Sequence, residues 1–443
     1  MAQSAHARPS DLITSTLQAS RREPSARAAL FHAGLSGALL DLGNALADSR
    51  TIMPVFIARL TASTVAVGAL ETIRGVGFFL PQFLVAHAAQ RRRYRMPLYL
   101  AAAGVRAACL LVLAAAVLSG ELVQRSALLL PLVFVLWSMF CLAVGAAQVP
   151  YTDVVARVIP SGQRSRLLGG RGLVGGILGV AAGFAVRHHL SGSGATVSSY
   201  GVIFVAAALA FALSAVAFGL ITEPAAPRTA APAPLGAFLA DNANTLRRDR
   251  RLRLFLFSQI LDTVALTALP FYAAQVSRTA ALPEADVGLL VAAHTLGAVG
   301  LNPLWGWWGD RQGKLALLRL VAPLALLSPL AAIALALYTL PLAVTRGAYL
   351  AIFFLNGACA SGRVVGDLGY LMEISPDDRR AEYSGYLNTW LAPVRLLPVL
   401  VAFAEPWISL TGIFGLAAVA ALGRLLSLST LQHLDTQAAR NSG

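Results

Sequence analysis

Long apolar runs alternate with short polar, arginine-bearing segments along almost the whole chain. Twelve of these runs are of the length, about 20 residues, needed to cross a hydrocarbon core roughly 30 Å thick. They fall at 28–56, 63–89, 97–118, 127–156, 167–187 and 200–221, then at 253–277, 285–309, 315–338, 347–374, 381–403 and 407–430. We number them spans 1 to 12. Residues 223–251 form the clearest boundary. Pro, Ala and Thr dominate from Glu223 to Pro234, and Arg247, Arg248, Arg250 and Arg251 follow. That segment is too long and polar for a turn between helices and reads as a linker. The predicted organisation is an N-terminal tail (1–26), a six-helix bundle (27–222), the linker (223–251), a second six-helix bundle (252–430) and a polar tail (431–443). The first tail is expected to be disordered, apart from a short interfacial helix over 11–19.

Composition supports a lipid-embedded protein. The chain is 57% hydrophobic and 13% charged, whereas soluble domains carry about 25% charged residues. The net charge of +14 comes almost entirely from arginine, since Lys314 is the only lysine. The basic residues cluster after spans 2, 4, 6, 8 and 10, with Arg311 and Lys314 forming the pair after span 8, and the loops after spans 3, 5, 7, 9 and 11 hold one arginine or none. This distribution argues against nucleic-acid binding. It places the basic loops, both termini and the linker on the cytoplasmic side of a bacterial inner membrane. The first apolar run is too long and too polar-studded for a cleaved leader and is expected to remain as span 1. Cys109, Cys141 and Cys359 lie inside apolar runs with neither metal-ligand nor disulfide spacing.

Two internal correspondences relate the halves. Pro160 to Gly169 and Pro376 to Gly385 each follow an apolar run, carry arginine midway and end on glycine nine positions after proline. Pro81 and Pro303 each precede the basic hinge that ends span 2 or span 8. The hinge after span 8 is Trp305-Gly306-Trp307-Trp308-Gly309-Asp310-Arg311-Gln312-Gly313-Lys314. Its pattern Gly306-x-x-x-Asp310-Arg311-x-Gly313-Lys314 resembles the signature loop of the major facilitator superfamily, and the resemblance extends over nearly the whole chain. The first-half copy is degraded: glycine and aspartate are missing near Leu84 and Ala88, and Arg91–Arg93 remain. Span 5 carries a glycine row from Gly169 to Gly183 without the proline of the family's antiporter signature, and Val133 to Thr152 of span 4 holds no charge.

The resemblance implies an all-α polytopic fold of about twelve helices in two pseudo-symmetric bundles, with the solute pathway between them. It also implies a role for the hinge. Asp310 would meet the start of span 5, where Arg164, Arg166 or Arg171 supplies a partner, and so close the cytoplasmic side. The alternative is a solvated turn. The degraded twin would rely on Arg91–Arg93 facing Asp377, Asp378 or Glu382. The glycine row reads as close helix packing, and the tryptophans of 305–308 as an interfacial anchor.

Charges within spans are costly, so they mark cavities or partners. Asp41, Asn44 and Asp48 share one face of span 1, which also carries His32. Span 7 offers Gln259 and Asp262, span 8 His294, span 10 Arg363 and Asp367, and span 11 Asn388 and Arg395. Asp41 and Asp262 are the leading candidates for a solute or coupling-ion site. Arg363 and Asp367 are spaced to pair with each other, and Glu71 with Arg74. The latter pair reads as structural or as lying near the outer end of span 2.

No Walker loop, dinucleotide fingerprint or His-Glu-x-x-His motif occurs, so neither an enzyme nor a bound cofactor or metal is expected. The reading is a monomeric secondary transporter that moves a small solute by alternating access, with protons as a candidate coupling ion and efflux ahead of uptake. An uptake carrier or uniporter for a polar metabolite is the alternative within transport. A non-transporting sensor or assembly partner with the same fold is the alternative of another class.

Overall fold

The computed structural model describes residues 9–90, 92–191, 196–225, 235–278, 286–376 and 379–442. Every regular element among them is an α-helix. Eleven segments are long and apolar enough to span a membrane by length and composition. Span 1 is not among these eleven; it is built of a long helix, Pro9–Leu46, and a short one, Ile52–Leu60. The first of these starts at Pro9, so much of the stretch expected to be a disordered tail is helical.

The break in span 1 has a local cause. The Asp48 carboxylate accepts from the Arg50 amide at 2.8 Å and from Thr51 Oγ1 at 3.1 Å. These bonds compete with the helical ladder, as short polar side chains do at helix starts. Span 7 breaks at the equivalent place, between Arg250–Leu266 and Leu269–Arg278. There Pro270 lacks the N–H that would continue the helix, and its ring crowds the preceding turn. Span 8 divides into Asp286–Gly300 and Asn302–Gln312, with Pro303 inside the first turn of the restarted helix. Spans 2, 3, 4, 5 and 6 are Thr64–Gln90, Met96–Leu118, Ser126–Val158, Ser161–Leu190 and Ser199–Gly219. Spans 9 and 10 are Lys314–Leu337 and Leu342–Ile374. Span 11 starts as Arg380–Val394 and resumes at Leu397, and the chain turns into span 12 at Ser409, where φ is 58°.

The helix pairings show the pseudo-symmetry directly. Spans 1–6, 2–4, 3–4 and 3–6 pack in the first half, and 7–12, 8–10, 9–10 and 9–12 pack in the second. Across the halves, span 5 packs on span 8 and span 2 on span 11, which are equivalent contacts under the same relation. Gly145 lets span 4 approach the Phe78 carbonyl of span 2, and Gly357 lets span 10 approach the His294 carbonyl of span 8. A Cβ at either glycine would collide with backbone, so these crossings require small residues. Large apolar side chains such as Leu111, Val216, Val419 and Leu426 are exposed on outer faces. On a polytopic membrane protein such faces meet lipid.

Candidate functional site

A cavity of about 1020 Å³ lies between the two halves. Spans 1 and 2 contribute Arg50, Glu71 and Arg74 to its wall, and span 4 contributes Gln148 and Thr152. Opposite them stand Gln259 and Asp262 of span 7, Arg363 and Asp367 of span 10, and Asn388 and Arg395 of span 11. On span 10 the wall is a stripe at helical spacing, with Arg363, Asp367 and Leu371 on one face. The lining reaches Thr152 and Leu371, near the arginine-rich ends of spans 4 and 10.

The opposite end is sealed. Thr64 Oγ1 at the start of span 2 donates to Glu405 at 3.0 Å, and the Val399 amide donates to Thr72 Oγ1 at 3.1 Å. Gly68 faces the Pro398 carbonyl and Ala402. Across spans 5 and 8, Gly176 abuts Val299, Gly179 abuts Thr295, and Gly183 abuts Gly288 and Ala292. The span 5 glycine row therefore forms part of the seam between the halves, beyond packing within one bundle.

Charged groups in the second half form one buried cluster. Arg424 of span 12 bonds Asp262 through Nη1 and Asp367 through Nη2, the latter at 2.8 Å. Arg363 Nε lies 3.6 Å from Asp262. Arg363 and Asp367 thus take partners on other helices, and the pair expected from their spacing does not form. Helical periodicity puts the two on one face, but the closer guanidinium comes from span 12. In the first half Arg74 holds both oxygens of Glu71, and Ser49 Oγ donates to Glu71 at 3.0 Å. Glu71 and Arg74 line the wall of the central cavity.

Asp41 lies apart from Asp262. It accepts two hydrogen bonds from Arg171, which also donates to Tyr151 Oη at 3.1 Å. Asp41, Asn44, Asp48 and His294 line a separate cavity of about 330 Å³ between spans 1, 5 and 8. A third, of about 230 Å³, connects Asn44, Asp48 and Arg50 with Arg74. The predicted residues therefore divide, with those of spans 7, 10 and 11 in the central cavity and those of spans 1 and 8 in the side cavity.

At the hinge, Gly313 adopts φ 90°, a left-handed conformation suited to glycine, between the helices of spans 8 and 9. Asp310 is largely exposed and pairs with Lys314 at 2.6 Å. Arg171, one of its expected partners, is held by Asp41. Arg166 is exposed, Arg311 stacks on Trp307 with its guanidinium 4.9 Å from the ring centroid, and Gly306 has open space where a Cβ would stand. The Trp cluster divides as well. Trp305 is buried and donates to the Ala358 carbonyl at 2.8 Å, so it locks span 8 to span 10 and does not anchor at an interface. Arg91, Asp377 and Asp378, invoked for the twin hinge, lie outside the described residues, as do the side chains of Arg164 and Glu382.

Sequence reasoning missed Arg50 and Arg424 at the site. Both were visible as lone arginines within or beside apolar runs, and a buried arginine requires an acidic or aromatic partner. Arg106 of span 3 is another: it is buried, with its guanidinium 4.5 Å from the Phe211 ring centroid.

The sequence matches the Major Facilitator Superfamily over residues 34–397. The chain belongs to the major facilitator superfamily. The nucleoside transporter NupG, solved as a point mutant, superposes with a TM-score of 0.71 at 11% identity, covering 91% of this chain and 99% of that one. A bacterial homologue of the iron transporter ferroportin, in its inward-facing state, gives 0.66 at 12% identity, covering 91% and 98%. A D-xylose–proton symporter gives 0.63 at 16% identity, covering 90% and 97%. At these identities the likeness shows the fold. No curated protein sequence matches the chain.

Proposed function

We propose that this superfamily member is a secondary transporter moving a small solute by alternating access, in a conformation open to the cytoplasm. The observation that carries the reading is the central cavity, which draws charged residues from both halves, extends to the arginine-rich end and is sealed at the other. Clustered arginines support a cytoplasmic assignment for the open end, with both termini and the linker on that side of a bacterial inner membrane. A monomer contains the whole pathway. The moving bodies are 27–222 and 252–430, joined by the linker and rocking about the span 2–11 and span 5–8 contacts. Export is the working direction of this proposal.

The hinge supplies the opposite gate. When the cytoplasmic side closes, Asp310 approaches the start of span 5 and competes with Asp41 for Arg171. The partner exchange makes the two conformations near in energy, since one charge-assisted contact replaces another. Asp262 and Asp367, two carboxylates sharing Arg424, are the proposed coupling-ion site. Protonation of one would loosen the cluster and free span 7 at its break.

Reconstituted vesicles with an imposed pH gradient test this reading. Solute counterflow and gradient-driven flux are expected, with Asp262→Asn and Asp367→Asn retaining counterflow and losing the response to the gradient. Gradient response intact in both variants would sink proton coupling through this cluster. Solute binding with no flux in either direction would favour a sensor.

A further inference from the structure

The central cavity carries positive charge that its own carboxylates do not neutralise. Four arginines line it, Arg50, Arg74, Arg363 and Arg395, against three carboxylates, Glu71, Asp262 and Asp367. Those carboxylates are already engaged. Glu71 is held by Arg74 and Ser49, and Asp262 and Asp367 by Arg424, with Arg363 beside Asp262. Asp48, the remaining carboxylate near Arg50, uses Oδ1 to bind the Arg50 amide and Thr51.

Two guanidiniums are left over. Arg50 sits in the break of span 1, and its Nε is buried with no hydrogen-bond partner. Its charged neighbours are Arg74, Glu71, Asp48 and Arg363. Arg395 sits in the break of span 11 with its guanidinium 4.0 Å from the Phe79 ring centroid, and its charged neighbours are Arg74 and Glu71. Stacking on a ring fixes the plane of a guanidinium and leaves its N–H edge free to donate. Excess cations in a low-dielectric cavity are costly, and a bound anion offsets that cost.

We propose that the solute is an organic anion whose carboxylate or phosphoryl group is gripped between Arg50 and Arg395. This rests on the transporter reading above. The cavity is far larger than a bare oxyanion, and Phe78, Leu266 and Leu391 supply an apolar wall for the rest of the solute. Arg50 belongs to the first half and Arg395 to the second. An anion bridging them draws the halves together at the cavity, so binding favours occlusion. A lipophilic cation would meet like charge at both positions.

Thermal unfolding of the purified full-length protein tests the assignment. The probes are inorganic phosphate, citrate and glycerol 3-phosphate, set against glycerol and tetraphenylphosphonium at matched ionic strength. Organic anions are expected to raise the melting temperature with saturable dependence. Arg395→Gln and Arg50→Gln should each weaken apparent affinity about ten-fold or more, as loss of a charge-assisted bond does. Arg395→Lys and Arg50→Lys should recover part of it, which a merely misfolded variant would not show. Arg125→Gln, at an exposed arginine in the loop before span 4, is expected to leave the anion response unchanged. The proposal is overturned if no anion stabilises the protein, if tetraphenylphosphonium alone does, or if the anion effect survives both Gln substitutions. Counterflow in vesicles is read separately. Anion binding without counterflow would defeat the transporter reading and leave the site. Counterflow of tetraphenylphosphonium without anion binding would defeat the anion assignment and leave the transporter.

Discussion

Arg171 of span 5 clasps Asp41 of span 1, Nη2 to Oδ1 at 2.8 Å and Nε to Oδ2 at 3.2 Å. Both residues belong to the first half, so the clasp survives any rocking of the halves unless a competitor takes Arg171. The competitor proposed on the other half is Asp310, which pairs with Lys314 in a solvated position. Asp41→Asn should release Arg171 and shift the population toward the form closed at the arginine-rich end. A change of about 1–2 kcal/mol, roughly ten-fold in the ratio of states, is the expected scale for a partly exposed charged pair. Distances between spin labels at the ends of spans 5 and 8 would read it.

Asp310→Asn should move the same distances the other way. The open form loses only an exposed pair to Lys314, worth less than about 1 kcal/mol, whereas the closed form loses its latch. If the distance distribution and the transport rate both match the parent protein, Asp310 is a solvated turn residue.

Arg424→Met should destabilise strongly, because it leaves Asp262 and Asp367 buried beside Arg363 alone. Removing one partner of a buried ionic cluster costs about 3–5 kcal/mol. Adding Asp367→Asn to Arg424→Met should recover a measurable part of the melting temperature, since one uncompensated charge is gone. Equal instability in the single and double variants would show that Arg424 acts through packing.

A side chain at Gly183 has no room while the seam is closed. Its Cβ would lie 2.6 Å from the Gly288 carbonyl oxygen and 2.7 Å from the Ala292 amide nitrogen. Gly183→Val should therefore prop spans 5 and 8 apart, raise labelling of cysteines placed in the sealed end, and abolish transport while the protein still folds. Unchanged labelling would mean that the seam relaxes locally.

Trp305 and Trp307 give a contrast in stability. Trp305→Phe loses the bond to the Ala358 carbonyl and leaves a buried acceptor, a cost of about 1–3 kcal/mol. Trp307 is half exposed and contacts Arg311 and the Trp308 ring, so Trp307→Ala should change the melting temperature little. Thermal unfolding in detergent separates the two.

The spans, their alternation of charge and the signature hinge were legible from one dimension of information. Hydrophobic run length reports burial in lipid, and arginine position reports loops, whatever the helices later touch. The polar faces of spans 7, 10 and 11 were legible for the same reason, because helical periodicity places Arg363 and Asp367 together. Periodicity does not choose partners. That Asp367 bonds Arg424, or that Asp41 bonds a residue 130 positions away, depends on how neighbouring helices are rotated and crossed. Those rotations follow from glycines such as Gly145 and Gly357, where backbones meet at close range, and from the breaks at Asp48 and Pro270. Trp305 shows the same limit, since aromatic character at a membrane edge is compatible with an anchor or a core residue and only packing separates them. Which end of the pathway is sealed is likewise tertiary, because it depends on which contacts form between the halves, at Thr64 with Glu405 and along the span 5 glycines, and not on the pattern within either half.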